Sequence, residues 1–221
     1  MSASSQTKIK QKIESFDENN FHSLCNQLAK KDRDLKNIIK QYGYPPLWSR
    51  VPSFETLIHI ILEQQVSLAS AKAALNKLKE KIGKVTHHKL LKLTDEEMRA
   101  CYFSRQKTVY ARCLAESILS RQLILKGISK KSDDMIREEL KKIKGIGDWT
   151  VDVFLMMSLN RCDCFPTGDI ALVNSLKEVK KLPKETTKEE LLLIAKKWEP
   201  YRTIAAYLLW WSYIKKRNMK L

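Results

Sequence analysis

KKIKGIGDWTVDVFLMMSLNRCDCFPTGDIAL, residues Lys141–Leu172, holds three of the six glycines in a chain of 221 residues. Gly145 and Gly147 bracket Ile146 in a KGIG turn between two runs of helical pattern, Asp133–Ile143 and Trp149–Leu159. So short a turn demands backbone angles that side chains resist, which predicts glycine at both positions. Ile146 is placed to plug the gap between the two helices. The glycines leave backbone N–H groups bare at the start of the second helix. Such groups, at the positive end of a helix dipole, form a phosphate site. Lys141, Lys142 and Lys144 surround it. A tight corner between helices with solvated lysines is the plainer reading of these residues. In a strongly basic chain, Leu140, Ile143, Gly145, Ile146 and Gly147 together favour a hairpin that grips DNA, with Gly145, Ile146, Gly147 and Lys144 against its backbone.

Working outward, a second turn, Phe165-Pro166-Thr167-Gly168, presents Asp169 twenty-two residues after Gly147. Asp169 precedes the apolar run Ile170-Ala171-Leu172-Val173, as a helix N-cap does. It is also the carboxylate best placed for chemistry, and the two readings are compatible.

Forty-one Lys and Arg against 25 Asp and Glu give a formal charge of +16 and a pI near 9.6. That excess points to a polyanionic partner, nucleic acid before an anionic membrane. No apolar run reaches the ~18 residues of a membrane span, and MSASSQTKIKQKIESF has no apolar signal core. The expected setting is intracellular, in the cytoplasm, nucleoid or nucleus. Five cysteines, an odd number, suit a reduced compartment. Cys162 and Cys164 are too close for a Cys-x-x-Cys zinc hook, and no cysteine follows to complete a four-cysteine iron–sulfur site. All five read as structural thiols.

Helical periodicity dominates. Asp17–Ile39 carries apolar residues three or four apart, with Asp32 capping a second helix. Two prolines make Gly43–Trp48 a loop. Ser53, Thr94 and Ser104 are further caps, and Leu68–Ile82 stops at Gly83. Ile170–Val179, Lys188–Trp198 and Tyr201–Lys215 close the chain. No alternating run is long enough for a strand. The expectation is an all-α fold of about ten helices, with residues 1–15 flexible and 16–221 forming the body.

Four stretches carry a family resemblance. Gly145-Ile146-Gly147-Asp148-Trp149-Thr150 and Phe165-Pro166-Thr167-Gly168-Asp169 are joined by Ile61-Leu62-Glu63-Gln64-Gln65-Val66-Ser67 and by Trp198-Glu199-Pro200-Tyr201-Arg202 through Trp210. Together they resemble the helix–hairpin–helix (HhH-GPD) superfamily of DNA glycosylases, in its 3-methyladenine DNA glycosylase II, or alkylpurine, branch. The resemblance covers roughly residues 45–215. It implies two helical lobes with the active-site cleft between them. The central lobe would span about 53–165 with the hairpin at 133–159. The second would combine helices from 17–45 and 169–216.

The resemblance also implies roles. Asp169 would stabilise oxocarbenium-like charge beside the sugar carbon of a flipped nucleotide, or orient the attacking water. Trp149 and Trp210 would wall the base pocket, where indole faces attract a cationic alkylated purine; core packing is the alternative for both. Val153 stands where some relatives have an aromatic, which implies a more open pocket. Tyr44, Trp48, Tyr201 and Tyr213 are further candidates for the cleft. Gln65 would wedge into the gap left by the flipped base, or else end a helix in solvent; Gln64 and Arg202 would support the site, Arg202 by bracing the loop near Asp169. Trp149 occupies the position at which bifunctional members carry a Schiff-base lysine. The implied reaction is monofunctional hydrolysis leaving an abasic site, with no cofactor required and no iron–sulfur cluster. A Na+ or K+ ion on the carbonyls of Lys141, Ile143 and Ile146 is the one cation implied. The implied partner is double-stranded DNA with a damaged base, bound by a monomer. A glycosylase for another damaged or mismatched base, or a DNA-binding protein without chemistry, remain alternatives.

Overall fold

The computed structural model describes residues 15–219. These form twelve α-helices: α1 (Phe21–Lys31), α2 (Arg33–Tyr42), α3 (Phe54–Glu63), α4 (Leu68–Ile82), α5 (His87–Leu91), α6 (Asp95–Ala100), α7 (Arg105–Leu119), α8 (Asp133–Lys141), α9 (Asp148–Ser158), α10 (Ile170–Lys180), α11 (Lys188–Lys196) and α12 (Arg202–Lys216). A single 3₁₀ turn, Ile128–Lys130, precedes α8. Among the described residues the only β pairing is one bridge, Ser15 to Arg161. The protein is all-α.

Local chemistry sets most boundaries. Ser53, Ser67, Ser104 and Ser132 each accept a backbone N–H in the first turn of the helix that follows. Thr94 and Thr187 form complete capping boxes with Glu97 and Glu190. Gly83 ends α4 at φ +67, a conformation open to glycine at no steric cost. The short α5 was not expected from the sequence, because five residues are too few to show a helical period. Residues 1–14 of the expected flexible segment lie outside the described residues. Ser15, by contrast, belongs to the folded body, and Phe16 beside it is buried with its N–H on the Asn160 carbonyl at 2.9 Å.

The helices pack in two groups around one continuous apolar core. In one, α3 lies against α4, α7 and α9, α8 folds back on α9, and α5 and α6 lean on α7. In the other, α1 and α2 pair and both pack on α12, which also carries α10. Asp169, at the start of α10, meets side chains from both groups.

Asp32 ties the second group together. Its carboxylate caps α2 through the N–H groups of Asp34 and Leu35. It also accepts Lys180 Nζ at 2.8 and 2.7 Å and Trp198 Nε1 at 2.8 Å. One carboxylate thus joins α2 to the last residue of α10 and to the link between α11 and α12. Burial alone would raise its pKa, but the bonds from Lys180 and Trp198 outweigh it and hold the carboxyl below the usual range. Replacing Asp32 with alanine is expected to cost about 1–3 kcal/mol, the loss of a cap plus an orphaned lysine and indole. Thermal unfolding of Asp32→Ala measures this. Because the folded pKa is depressed, the contribution is fully present above the unfolded value of about 4. It is lost as pH falls through the lower folded value, so the gap between wild type and variant should narrow in acid.

Candidate active site

The hairpin is built by a division of labour between its two glycines. Gly145 has φ +92, and a Cβ there would lie 2.1 Å from Cγ of Tyr110 on α7. Only glycine fits. Gly147 has φ −104, an extended conformation any residue adopts, and a Cβ there would meet nothing within 4 Å. The expectation that both glycines answer a backbone demand therefore holds for Gly145 alone. At Gly147 what glycine leaves is open space around the N–H groups that begin α9, as an approaching phosphate requires. Ile146 is buried at 5% exposure and plugs the hairpin as expected.

The lysines are not equivalent. Lys141 pairs with Asp148 at 2.6 Å and Lys142 with Glu138 at 2.9 Å. Lys144 is exposed and, among the described residues, has no carboxylate partner. Deeper in the hairpin, Arg137 of α8 pairs with Asp152 of α9 at 2.5 Å. Burial raises the Asp152 pKa even against that guanidinium. The Ile143 carbonyl accepts the Ile146 N–H at 3.0 Å, while those of Lys141 and Ile146 accept no hydrogen bond from another described residue.

Gln64, at the end of α3, donates from Nε2 to the Gly145 carbonyl at 2.9 Å and to Thr150 Oγ1 at 3.0 Å. That fastens the α3 terminus to the hairpin. Gln65 follows at φ +57 with its side chain exposed. Two contacts the sequence did not reveal hold this helix end. Arg50 forks onto buried Glu63 at 2.9 and 2.7 Å, and Lys107 Nζ donates to the Leu62 carbonyl at 2.6 Å. Nothing in local spacing couples positions so far apart.

Asp169 is the N-cap of α10, and its side chain is where three helices converge. Oδ1 accepts the Leu172 N–H at 2.8 Å and Trp210 Nε1 of α12 at 3.1 Å. Oδ2 accepts Trp149 Nε1 of α9 at 3.1 Å. A Cβ at Gly168 would sit in ordinary contact with that of Trp149, at 3.4 Å. The two tryptophans expected to wall a pocket therefore also hold the carboxylate. Trp149 is half-buried and Trp210 is 8% exposed.

The loop before Asp169 is braced from α12. Arg202 donates from Nε and one terminal nitrogen to Asp163 at 2.7 and 2.9 Å, with Glu199 nearby at 3.3 Å. Asp163 escaped the sequence reading, its partner being thirty-nine residues away. No disulfide joins the five cysteines. Burial pushes the Cys25 and Cys164 thiols up to about 12, which makes them poor nucleophiles.

Other expected cleft residues separate. Val153, expected to open the pocket, packs into the core at 2% exposure and lines no open surface. Tyr44 stacks on His22 at 4.1 Å and donates to Asn26, within the N-terminal helix pair. Tyr213 lies under Arg217 near the end of α12. Trp48 lies edge-on to Trp210, with ring centroids 6.3 Å apart.

A glycine hairpin, a capping carboxylate held between two tryptophans and a basic helical body define a helix–hairpin–helix DNA-repair fold. The chain belongs to the HhH-GPD superfamily of base excision DNA repair proteins, whose family model matches residues 58–200. It is 33% identical over 190 residues to DNA-3-methyladenine glycosylase 1 of Schizosaccharomyces pombe, covering 83% of each chain. Its fold superposes with a TM-score of 0.79 on the structure of 3-methyladenine DNA glycosylase from the same yeast in complex with abasic DNA. There the identity is 32%, over 85% of this chain and 95% of that one. A DNA-3-methyladenine glycosidase from Bacillus halodurans gives a TM-score of 0.72 at 28% identity, over 93% and 94% of the two chains.

The two glycines should respond differently to the same substitution. Gly145→Ala is expected to lose about 2–4 kcal/mol, from a strained φ and a clash with Tyr110. Gly147→Ala should keep its stability within about 1 kcal/mol of wild type while weakening DNA binding. Melting curves and fluorescence-anisotropy titration separate the two effects.

Proposed function

We propose that this protein is a monofunctional DNA glycosylase of base excision repair. It flips an alkylated purine of the 3-methyladenine or 7-methylguanine type out of duplex DNA and hydrolyses its N-glycosidic bond, leaving an abasic site. The observation that carries this reading is the Asp169 carboxylate, fixed at the start of α10 by Trp149, Trp210 and the Leu172 N–H.

The arrangement suits the chemistry. A carboxylate has about four lone-pair sites, and three N–H donors already occupy this one. What remains is a fixed negative charge with room for one more contact. That favours electrostatic stabilisation of developing positive charge on the sugar, with little reorganisation during reaction. An alkylated purine is already an activated leaving group, so no general acid is needed. Its positive charge is attracted by indole faces, here those of Trp149 and Trp210. Trp149 offers no amine, so no Schiff base forms at that position and the strand is not nicked.

DNA is gripped at two points. The hairpin N–H groups around Gly147, with Lys144, take the phosphate backbone. A monovalent cation on the carbonyls of Lys141, Ile143 and Ile146 would add positive charge facing that phosphate. Gln65 enters the stack and holds open the gap, its projection set by the left-handed backbone and by Gln64 behind it. One flipped nucleotide needs one pocket, so the protein acts as a monomer.

Duplexes carrying 3-methyladenine, 7-methylguanine, ethenoadenine, hypoxanthine or uracil test the reading. Wild type should release the alkylated purines. Asp169→Asn should lower that release at least about a hundredfold with DNA affinity retained. Binding without release of any base would leave a DNA-binding protein; release of uracil alone would reassign the lesion. Borohydride should trap no enzyme–DNA adduct. Affinity should fall steeply as salt rises, because phosphate contacts release counterions; a flat response would contradict the DNA reading.

A further inference from the structure

All five tryptophans lie within the described residues, and four of their indole N–H groups donate to protein acceptors. Trp149 and Trp210 donate to Asp169, Trp198 to Asp32 and Trp211 to the Tyr42 carbonyl. Trp48 is the exception: among the described residues no acceptor meets its Nε1, and that atom is not one of the fully buried unpaired ones. Yet its ring is held firmly. It lies 5.1 Å from the Tyr207 ring and edge-on to Trp210 and Trp211 at 6.3 and 6.4 Å. Its own carbonyl accepts the Tyr207 hydroxyl at 2.9 Å. Pro45 and Pro46 stiffen the backbone leading to it.

A packed indole normally settles its N–H on a neighbour. Here the ring is immobilised and the donor is left over. The ring that carries it adjoins the site, since Trp48 lies edge-on to Trp210, whose N–H holds Asp169. We propose that the Trp48 N–H is a hydrogen-bond donor to the flipped base and makes Trp48 a specificity-determining residue. This rests on the glycosylase reading above.

The class of base follows from the chemistry of a lone, fixed donor. A purine with a carbonyl at C6, such as 7-methylguanine or hypoxanthine, presents a strong acceptor. A base with an exocyclic amino group there, such as 3-methyladenine, presents a donor that the indole N–H opposes. A site with a fixed donor discriminates through the bond it makes with one base and cannot make with the other. The indole also has no acceptor of its own, so the preference cannot invert by rotating a bond, as an amide side chain's could.

Single-turnover base release measures this directly. Trp48→Phe keeps an aromatic ring and removes the N–H. It should lower the rate on hypoxanthine and 7-methylguanine about tenfold more than the rate on 3-methyladenine. Benzothienylalanine at position 48, which keeps the bicyclic shape and lacks the N–H, should give the same selective loss. An equal loss on every base, or a wild-type ratio with the benzothiophene ring, overturns the proposal by making shape rather than the donor the feature read. Melting temperatures of both variants check the fold. Wild type releasing 3-methyladenine but neither carbonyl base also overturns it. Wild type inactive on all three sinks the glycosylase reading itself, a result distinct from any change in ratio.

Discussion

Three N–H groups from three helices converge on one carboxylate, and much of the molecule can be read as the means of bringing them there. The Leu172 N–H is local, the ordinary reward of an N-cap. The other two belong to Trp149 and Trp210, 20 and 41 residues from Asp169 along the chain. For both to reach 3.1 Å, α9 and α12 must meet at the start of α10. The helices that pack on α9 belong to one group and those on α12 to the other, so the convergence stitches the groups together. A half-exposed carboxylate that lost either indole would turn towards water and lose its fixed direction.

The elements proposed to face DNA depend on a comparable junction. Gln64 reaches from the end of α3 to the hairpin turn, using its amide to satisfy both a carbonyl and a hydroxyl. Two parts of the surface that would touch opposite features of a duplex, a backbone and a base stack, are therefore spaced by one side chain. Arg50 and Lys107 hold the same helix end from behind.

What the sequence made legible was local. Caps, the capping box at Thr94, the glycine stop at Gly83 and the glycine turn all act within a few residues, where chemistry and spacing are visible together. The family resemblance then singled out Asp169, Trp149 and Gln65 as candidates, because each sits in a short run of distinctive residues. What stayed hidden was pairing at long separation. Asp163 with Arg202, Glu63 with Arg50, and Asp32 with Lys180 have no spacing rule to reveal them, since the fold alone decides which charges meet. Val153 illustrates the converse. A small residue in place of an aromatic suggested an opening, but neighbouring side chains fill such space in a close-packed interior. The two glycines of the hairpin looked alike in the sequence and differ in the structure, because φ and the nearness of Tyr110 are properties of three dimensions.

The far end of α10 gives Asp32 a meaning beyond its own corner of the protein. Eleven residues of α-helix make a rod about 16 Å long, with Asp169 capping one end and Lys180, clasped by Asp32, at the other. A rod pinned at its far end pivots about that pin. Slack there would swing the near end through a comparable arc, and a shift of about 1 Å at a reacting group can cost a hundredfold in rate. The helix pair α1 and α2 thus anchors the far end of the helix whose near end carries the carboxylate.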